Sequence, residues 1–538
     1  MFPDTLTALI IDDALTVRQS LRSILGQLGI TRVDTSATVG EARRRIDSGR
    51  FDIVLCDYHF GAGTNGQEFL EELRHAGALP LSTVFFMITA EASYERVVSV
   101  AEIAPDDYLL KPFTSGQLGE RLLRAWRKKK YLNPIYKEIE ANRLEQAVYV
   151  AKARLEENGP FRSDVARLLA GVLVELGRNQ EAMALYEQLL QDKVIPWAKL
   201  GLARIYSNTG RQAEAEKIMH AIVESNDMYV DAYDQLAAHY LQSGREKEAM
   251  EVMEKALKVT PHNLERLQRA GQMAYRLGDN DKARQFLEKA VVHGGNSAML
   301  DARSVMYLAI SSYAEGKQRD GDKMLHMLQG LLANESSFEK KVLLDLAQAA
   351  KCWATQKPDE AILTLNHIAA AVHDQRVDFE LAGDFISVCA RMTAGEAAVK
   401  DWTAKFAKRF GTSRVAIEKL EFAASHSKEL HDIIHFVNQE INQIANQGMT
   451  LVVANRLREA ADHLAEHALD YHNNRLLLAA ANASIRYAKE GADDAIQYLH
   501  KGRQATNLLK AQHYDSITVE GLEQELLLLQ YKLKPAAA

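Results

Sequence analysis

A long internal period restricts what this chain folds into more than any other feature. Glycine falls at 177, 210, 244, 278 and 316, at nearly constant spacing that stretches only at the last step. Five positions beyond each stands a small residue: Ala182, Ala215, Ala249, Ala283 and Gly321. Upstream at a fixed distance stands another: Ala170, Ala203, Ala237, Gly271 and Ala309. The stretches between have helical spacing and almost no strand signal. Such a pattern predicts two antiparallel helices per unit. Small residues let the helices approach closely, and glycine ends the first helix in the left-handed conformation that other residues resist. One unit cannot bury its own apolar face, so neighbouring units must stack into a solenoid.

The fullest unit runs through Tyr233, Leu236, Ala237, Tyr240, Gly244, Ala249, Ala256 and Pro261, and a second runs from Trp197 through Tyr206, Gly210 and Ala215. This pattern resembles tetratricopeptide repeats. A divergent first unit is expected over Pro134–Leu155 with Ala147 in the small position, and Ala361 continues the series at a stretched interval after Gly321. Residues 375–538 keep helical periodicity, with alanine-rich stretches at Leu476–Ala488 and Asp493–Leu499. Degenerate repeats and a separate helical bundle both remain open there.

The segment before the repeats has a different grammar. Short apolar runs at Ala8–Ile11, Phe51–Cys56, Val84–Ile88 and Asp107–Leu110, with a weaker one near Thr31–Thr35, read as buried strands. Between them lie helical patterns at Leu15–Leu28, Val39–Asp47, Gln67–His75, Tyr94–Ile103 and Ser115–Trp126. Strict alternation of strand and helix predicts a doubly wound, five-stranded parallel sheet covered on both faces. In such a sheet the functional crevice lies beyond the carboxyl ends of the strands. The residues there are Asp12 and Asp13, Asp57, Thr89, and Lys111 before Pro112. Three carboxylates converging on one crevice repel each other, and an all-oxygen donor set of this kind suits Mg²⁺. A lysine and a hydroxyl beside them suit an incoming phosphoryl group, so the set points to phosphoryl transfer onto a carboxylate.

With Tyr108 three positions before Lys111 and the triplet Lys111-Pro112-Phe113, residues 6–128 resemble the flavodoxin-like receiver domain of bacterial two-component response regulators. The resemblance implies that Asp57 accepts the phosphoryl group. It implies that Asp13, Asp57 and the main-chain carbonyl of His59 bind Mg²⁺, with Asp12 assisting through water. Thr89 and Lys111 would contact the phosphoryl oxygens, Tyr108 would turn inward on activation, and the Lys111–Pro112 bond would be cis. One departure stands out. Gly61 occupies a place where the family usually has proline, and the loop from Asp57 to Gly66 is longer and glycine-rich. His59 and Glu91 occupy the two positions that in the family tune the lifetime of the phosphate.

Composition bounds the rest. At roughly 100–200 residues per domain, 538 residues make several domain equivalents. The expected division is a receiver at 1–130, a repeat array at 131–374 and a C-terminal helical region at 375–538. A net charge of −7 argues against a chain that coats nucleic acid. Cys56, Cys352 and Cys389 form no CxxC pair, which favours a reducing compartment. No apolar run approaches the ~18 residues of a membrane span, and the start lacks the basic region of a signal peptide, so a cytoplasmic protein is expected.

Two clusters read as ordinary structure. The basic run Arg121–Lys130 is expected to be the solvated last turn of a helix, with Asn133-Pro134 starting the next one. His463 and His467, and likewise His431 and His435, have the i, i+4 spacing of zinc ligands, but no third ligand accompanies either pair. The reading that follows is a phosphorylation-controlled adaptor and not an enzyme. A histidine kinase or phosphotransfer protein acts upstream, and a protein ligand of the tetratricopeptide groove is the output, with the receiver face also open to homodimer contact. The alternative is a transcription regulator binding DNA through the C-terminal helices, although no clustered basic recognition helix is legible. Metal-dependent hydrolysis by the C-terminal histidines is a further rival.

Overall fold

The computed structural model describes residues 2–533 apart from 4, 61–64, 91–104, 158, 192–194, 228, 296–298, 333–336, 393–396 and 492. Five parallel strands, β1 (Thr7–Ile11), β2 (Arg32–Ser36), β3 (Ile53–Asp57), β4 (Val84–Thr89) and β5 (Asp107–Leu110), form one sheet in the order β2-β1-β3-β4-β5. The period of two is visible in the packing. Ala8, Ile10, Leu55, Phe86 and Ile88 face Leu21, Leu25, Leu118 and Leu122, whereas Leu9, Ile11, Val54, Phe85 and Met87 face Ala42, Ile46, Phe69 and Leu70. Burying each such side chain contributes about 1.5–3 kcal/mol, so both faces must be covered by helices. The covering helices are Leu15–Gln27, Val39–Ser48, Gly66–His75 and Ser115–Glu140. The helix expected at Tyr94–Ile103, with Glu91, lies outside the described residues, as does Gly61.

The helix that closes this domain differs from expectation. It does not stop near Trp126 and restart at Pro134; it runs unbroken from Ser115 to Glu140 with Pro134 inside it. A capping box at Thr114 and Gln117 starts it. Proline removes the hydrogen bond to the Lys130 carbonyl, a loss that can reach ~3 kcal/mol. Buried Leu132, Ile135 and Tyr136 hold the helix together across that gap. The basic run is therefore not a solvated last turn, and Lys129 within it is buried.

Helical hairpins follow, among them Pro196–Asn208 with Gln212–Ser225 and Val230–Gln242 with Glu246–Val259. Gly177, Gly210, Gly244, Gly278 and Gly316 all have positive φ at the turns, between 69° and 84°. The same conformation recurs at Asn142, Gln356 and Asn455, where no glycine marks it. Five positions on from these stand buried Ala147, Ala361 and Ala460. Residues Gly448, Asn455, Ala460 and Leu464 repeat the spacing of Gly271, Gly278, Ala283 and Leu287. In both sets the first glycine is required by close approach, since a Cβ there would lie 2.5 Å from the leucine.

The chain divides into two compact units, residues 1–271 with 285–301 and residues 272–284 with 302–538. In the second, the helix Ala302–Ala314 is buried on every side from Ala302 to Tyr313. The helix Phe379–Met392 covers it: Arg303 pairs with Asp384 at 2.7 Å and Glu380 at 3.1 Å, and Tyr307 donates to Asp384.

Candidate functional site

Four of the five strands, β1, β3, β4 and β5, deliver their last residues to one crevice because parallel strands in register end on the same edge of the sheet. β1 leads into Asp12, which is buried, and Asp13, which is exposed; β3 ends on Asp57, which is 8% exposed. Oxygens of these three carboxylates lie within 4.8 Å of one another. Among the described residues they are the only group of three or more histidine, cysteine or carboxylate donors so placed. Thr89, wholly buried, ends β4, and its carbonyl accepts from the Lys111 amide at 2.8 Å. The Lys111–Pro112 bond is cis, as the receiver resemblance implies.

Lys111 is the electrostatic centre. Its Nζ lies 3.1 Å from Asp12 Oδ2 and 3.0 Å from Asp57 Oδ1, so one ammonium answers two buried carboxylates. Burial pushes the Asp57 carboxyl above its ordinary range, with Lys111 opposing and Asp12 adding to the rise. Burial alone would lower the Lys111 ammonium, but the hydrogen bond and charge of Asp57, with Asp12, hold it above its ordinary value. A buried, partly frustrated carboxylate beside a fixed cation is suited to accept an electrophile that brings its own counter-charge.

The rim is held by the backbone. Asp57 Oδ1 accepts from the Tyr58 amide at 3.0 Å, and Asp12 Oδ1 from the Ala14 amide at 2.9 Å. Arg18 donates to the carbonyls of Asp12 and Asp13 at 2.6 and 2.9 Å, fixing the acidic turn from behind. The Gly66 amide donates to the Tyr58 carbonyl at 2.8 Å, tying the start of the helix Gly66–His75 to the residue after Asp57. A Cβ on Gly66 would lie 2.3 Å from the Asp57 carbonyl oxygen. Neither Arg18 nor Gly66 stands out in the sequence. An Asn-Gly pair before a helix is the available signal for Gly66; Arg18 reads as a solvated helix residue.

His59 is exposed, its ring edge-on to Tyr58 at 4.6 Å. Tyr108 is half-buried against the apolar layer that contains Phe69 and Phe85, with the Arg121 guanidinium 5.0 Å from its ring centre. Arg121 also pairs with Asp107, so the ring sits beside a tethered cation. His463 and His467 have ring centres 5.3 Å apart, but among the described residues no group of three donors includes a C-terminal histidine. His463 faces the Ile444 carbonyl, His435 faces Glu421, and His431 lies 3.7 Å from Asp432.

Residues 8–123 match the family model of the response regulator receiver domain, and residues 240–304 match a tetratricopeptide repeat model. The chemotaxis protein CheY-3 of Vibrio cholerae is 32% identical over 114 residues, 21% of this chain and 86% of that protein. The chemotaxis protein CheY of Pseudomonas aeruginosa is 31% identical over 114 residues, 21% of this chain and 90% of that protein. Among solved structures, the Vibrio cholerae chemotaxis protein CheY4 is similar at 28% identity, covering 22% of this chain and 98% of its own, with a TM-score of 0.21. A tetratricopeptide repeat protein from Parabacteroides merdae is similar at 14% identity, covering 48% of this chain and 98% of its own, with a TM-score of 0.31. No described helix is long and apolar enough to cross a membrane.

Proposed function

Because the chain belongs to the response regulator receiver family and carries tetratricopeptide repeats behind that domain, we propose that it is a phosphorylation-controlled regulator whose output is the binding of another protein. The phosphoacceptor is Asp57. A histidine kinase or phosphotransfer protein presents a phosphohistidine; an Asp57 carboxylate oxygen forms the new P–O bond as the donor's P–N bond breaks. Lys111 and the Thr89 hydroxyl hold the arriving phosphoryl oxygens. The observation that carries this reading is the bridge of Lys111 between Asp12 and Asp57.

The donor set fits Mg²⁺: three carboxylates converge, all hard oxygen ligands, and one of them, Asp13, is exposed. Asp13, Asp57 and the His59 carbonyl would hold the ion, with Asp12 assisting through water. When bound, magnesium supplies charge neutralisation for the phosphoryl group and the carboxylates around it.

The chain's own residues do the rest. Asp57 becomes a bulkier dianionic group, which draws Lys111 from its shared position and frees Asp12 from that partner. Tyr108 responds by leaving Arg121 for the apolar layer it already touches. The face carrying β5 and the start of Ser115–Glu140 changes, which is a local charge event biasing a two-state element. The hairpin array supplies surface for a protein partner. A cytoplasmic location fits this role.

Acetyl phosphate or a donor kinase with magnesium should label the full chain at one hydroxylamine-labile acyl phosphate per molecule. Asp57→Ala should abolish the label and leave the circular dichroism spectrum unchanged. Full labelling of that variant would overturn the assignment. Beryllium fluoride, a phosphoryl mimic, should then change which protein the chain captures; identical capture with and without it would mean that the receiver does not gate the repeats.

A further inference from the structure

Lys129 sits in the middle of the basic run, yet its side chain is only 8% exposed. Its Nζ lies 2.9 Å from Asp106 Oδ1 and donates to the Leu81 carbonyl at 2.7 Å. Buried lysines are rare unless paired, because the desolvated ammonium must recover its lost hydration. Asp106 is equally committed. Its Oδ2 accepts from the Phe85 amide at 2.9 Å, and its own amide donates to the Phe85 carbonyl at 2.8 Å. One carboxylate thus ties the start of β5 to β4 and to the helix Ser115–Glu140.

The peptide unit on either side of Leu81 is gripped twice by that helix. Lys129 takes the Leu81 carbonyl, and Glu140, the helix's last residue, accepts from the Leu81 amide at 2.5 Å. Arg74 of the helix Gly66–His75 donates to the Leu79 and Pro80 carbonyls at 3.3 and 3.1 Å, completing the clasp. The second half of Ser115–Glu140 is also packed on the first hairpin helices: Lys128 faces Asp164 at 3.7 Å, and the helix turns at Asn142 directly into Leu144–Glu156. The receiver's last helix and the first repeat helix are one rod.

From this geometry we infer that Lys129 is a positioning residue that locks the receiver to the repeats through Asp106, with β5 as the lever between phosphorylation site and clasp. β5 is a short strand that carries Tyr108 and leads into Lys111 at the site, while Asp106 precedes it. A rigid strand of that length moves as a body, so a shift of Lys111 at one end is felt by Asp106 and Lys129 at the other. The mechanical part of this inference stands without the phosphoacceptor reading; its use as a signal path rests on that reading.

Hydrogen exchange on the full chain tests both. In the wild type, amides of β4 and of Leu144–Glu156 should open together, with protection factors within about threefold of each other. Lys129→Met keeps the apolar stem and removes the charge. It should lower protection in Leu144–Glu156 at least tenfold relative to β4, while Lys428–Val453 in the other unit is unchanged. Should Lys129→Met fold poorly, Glu140→Ala removes the other half of the grip and should shift the same ratio in the same direction by less. An unchanged ratio in a folded variant of either kind would overturn the lock. Beryllium fluoride with magnesium should alter exchange in Leu144–Glu156 of the wild type and not of Lys129→Met. Equal alteration in both would overturn the lever. Failure of beryllium fluoride to protect the Asp57 loop in the wild type would sink the phosphoacceptor reading, while the unliganded comparison still decides the lock.

Discussion

The guanidinium of Arg391 lies 4.0 Å from the ring centre of Tyr275 and donates to the carbonyl of that same residue, 116 positions earlier in the chain. Tyr275 in turn stacks on Tyr307 at 4.1 Å. With Arg303 on Asp384, these contacts tie the helix Phe379–Met392 to Tyr275 and to the helix Ala302–Ala314.

The buried pair gives the first prediction. Asp384→Ala leaves the Arg303 guanidinium without its closest and most buried partner, with only Glu380 and Glu339 remaining, and should lower stability by about 1–3 kcal/mol, read from urea unfolding of the full chain. Arg303→Met combined with Asp384→Leu removes both charges and should recover most of that loss. A double variant as unstable as the single one would mean that packing, not the lost Asp384 charge, dominates there.

At the receiver site, Lys111→Met strands two carboxylates at once. Without divalent ions the variant should be less stable than the wild type by roughly 1–3 kcal/mol. Magnesium should stabilise the variant more than it stabilises the wild type, because the ion then takes over the neutralisation. Equal magnesium dependence of the two melting temperatures would contradict the arrangement.

The raised Asp57 carboxyl fixes the sign of a pH effect. A group whose folded pKa exceeds its unfolded value binds protons more tightly when folded, so its ionisation destabilises the fold as pH rises. Asp57→Asn should therefore raise the melting temperature of the magnesium-free protein by a few degrees near neutral pH. The advantage should vanish as pH falls through the folded pKa and Asp57 itself becomes neutral. A melting difference that grows on acidification would reverse the assigned direction.

Gly448→Ala should cost about 1–3 kcal/mol, since its new Cβ would overlap Leu464. Gly271→Ala should cost a similar amount against Leu287. Trimming the leucine in the same molecule should relieve part of each loss. Tolerance of Gly448→Ala alongside damage from Gly271→Ala would show that the matching spacing does not reflect matching packing.

The receiver is legible in the sequence because buried parallel strands are written as uninterrupted apolar runs, and each run hands its next residue to the same edge. Asp12, Asp13, Asp57, Thr89 and Lys111 can be ordered from that alone. Glycine-marked hairpins are equally legible, whereas Asn142, Gln356 and Asn455 take the same left-handed turn without the letter that announces it. Asparagine tolerates that region; glutamine does so only where its surroundings enforce it. Lys129 escapes a sequence reading because a run of cations suggests water, and only the distant Asp106 and Leu81 reveal that one of them points inward. Pro134 misleads for a similar reason. Its local preference for a first turn yields to the apolar contacts of Leu132, Ile135 and Tyr136. Contacts such as Arg391 on Tyr275 leave no local trace at all.

The unbroken rod from Ser115 to Glu140 also sets a rule of inheritance. An α-helix turns about 100° per residue, so one residue gained or lost between Trp126 and Pro134 would rotate everything downstream by nearly a third of a circle. Glu140 would then point away from Leu81, and a change before Lys129 would also turn that lysine away from Asp106. Chains descended from this one should keep that segment at constant length, since even a change of about seven residues, which restores the rotation, would carry Glu140 about 10 Å along the axis from Leu81. Elsewhere, the joints between hairpins are free to drift, as the unequal steps between their glycines already record.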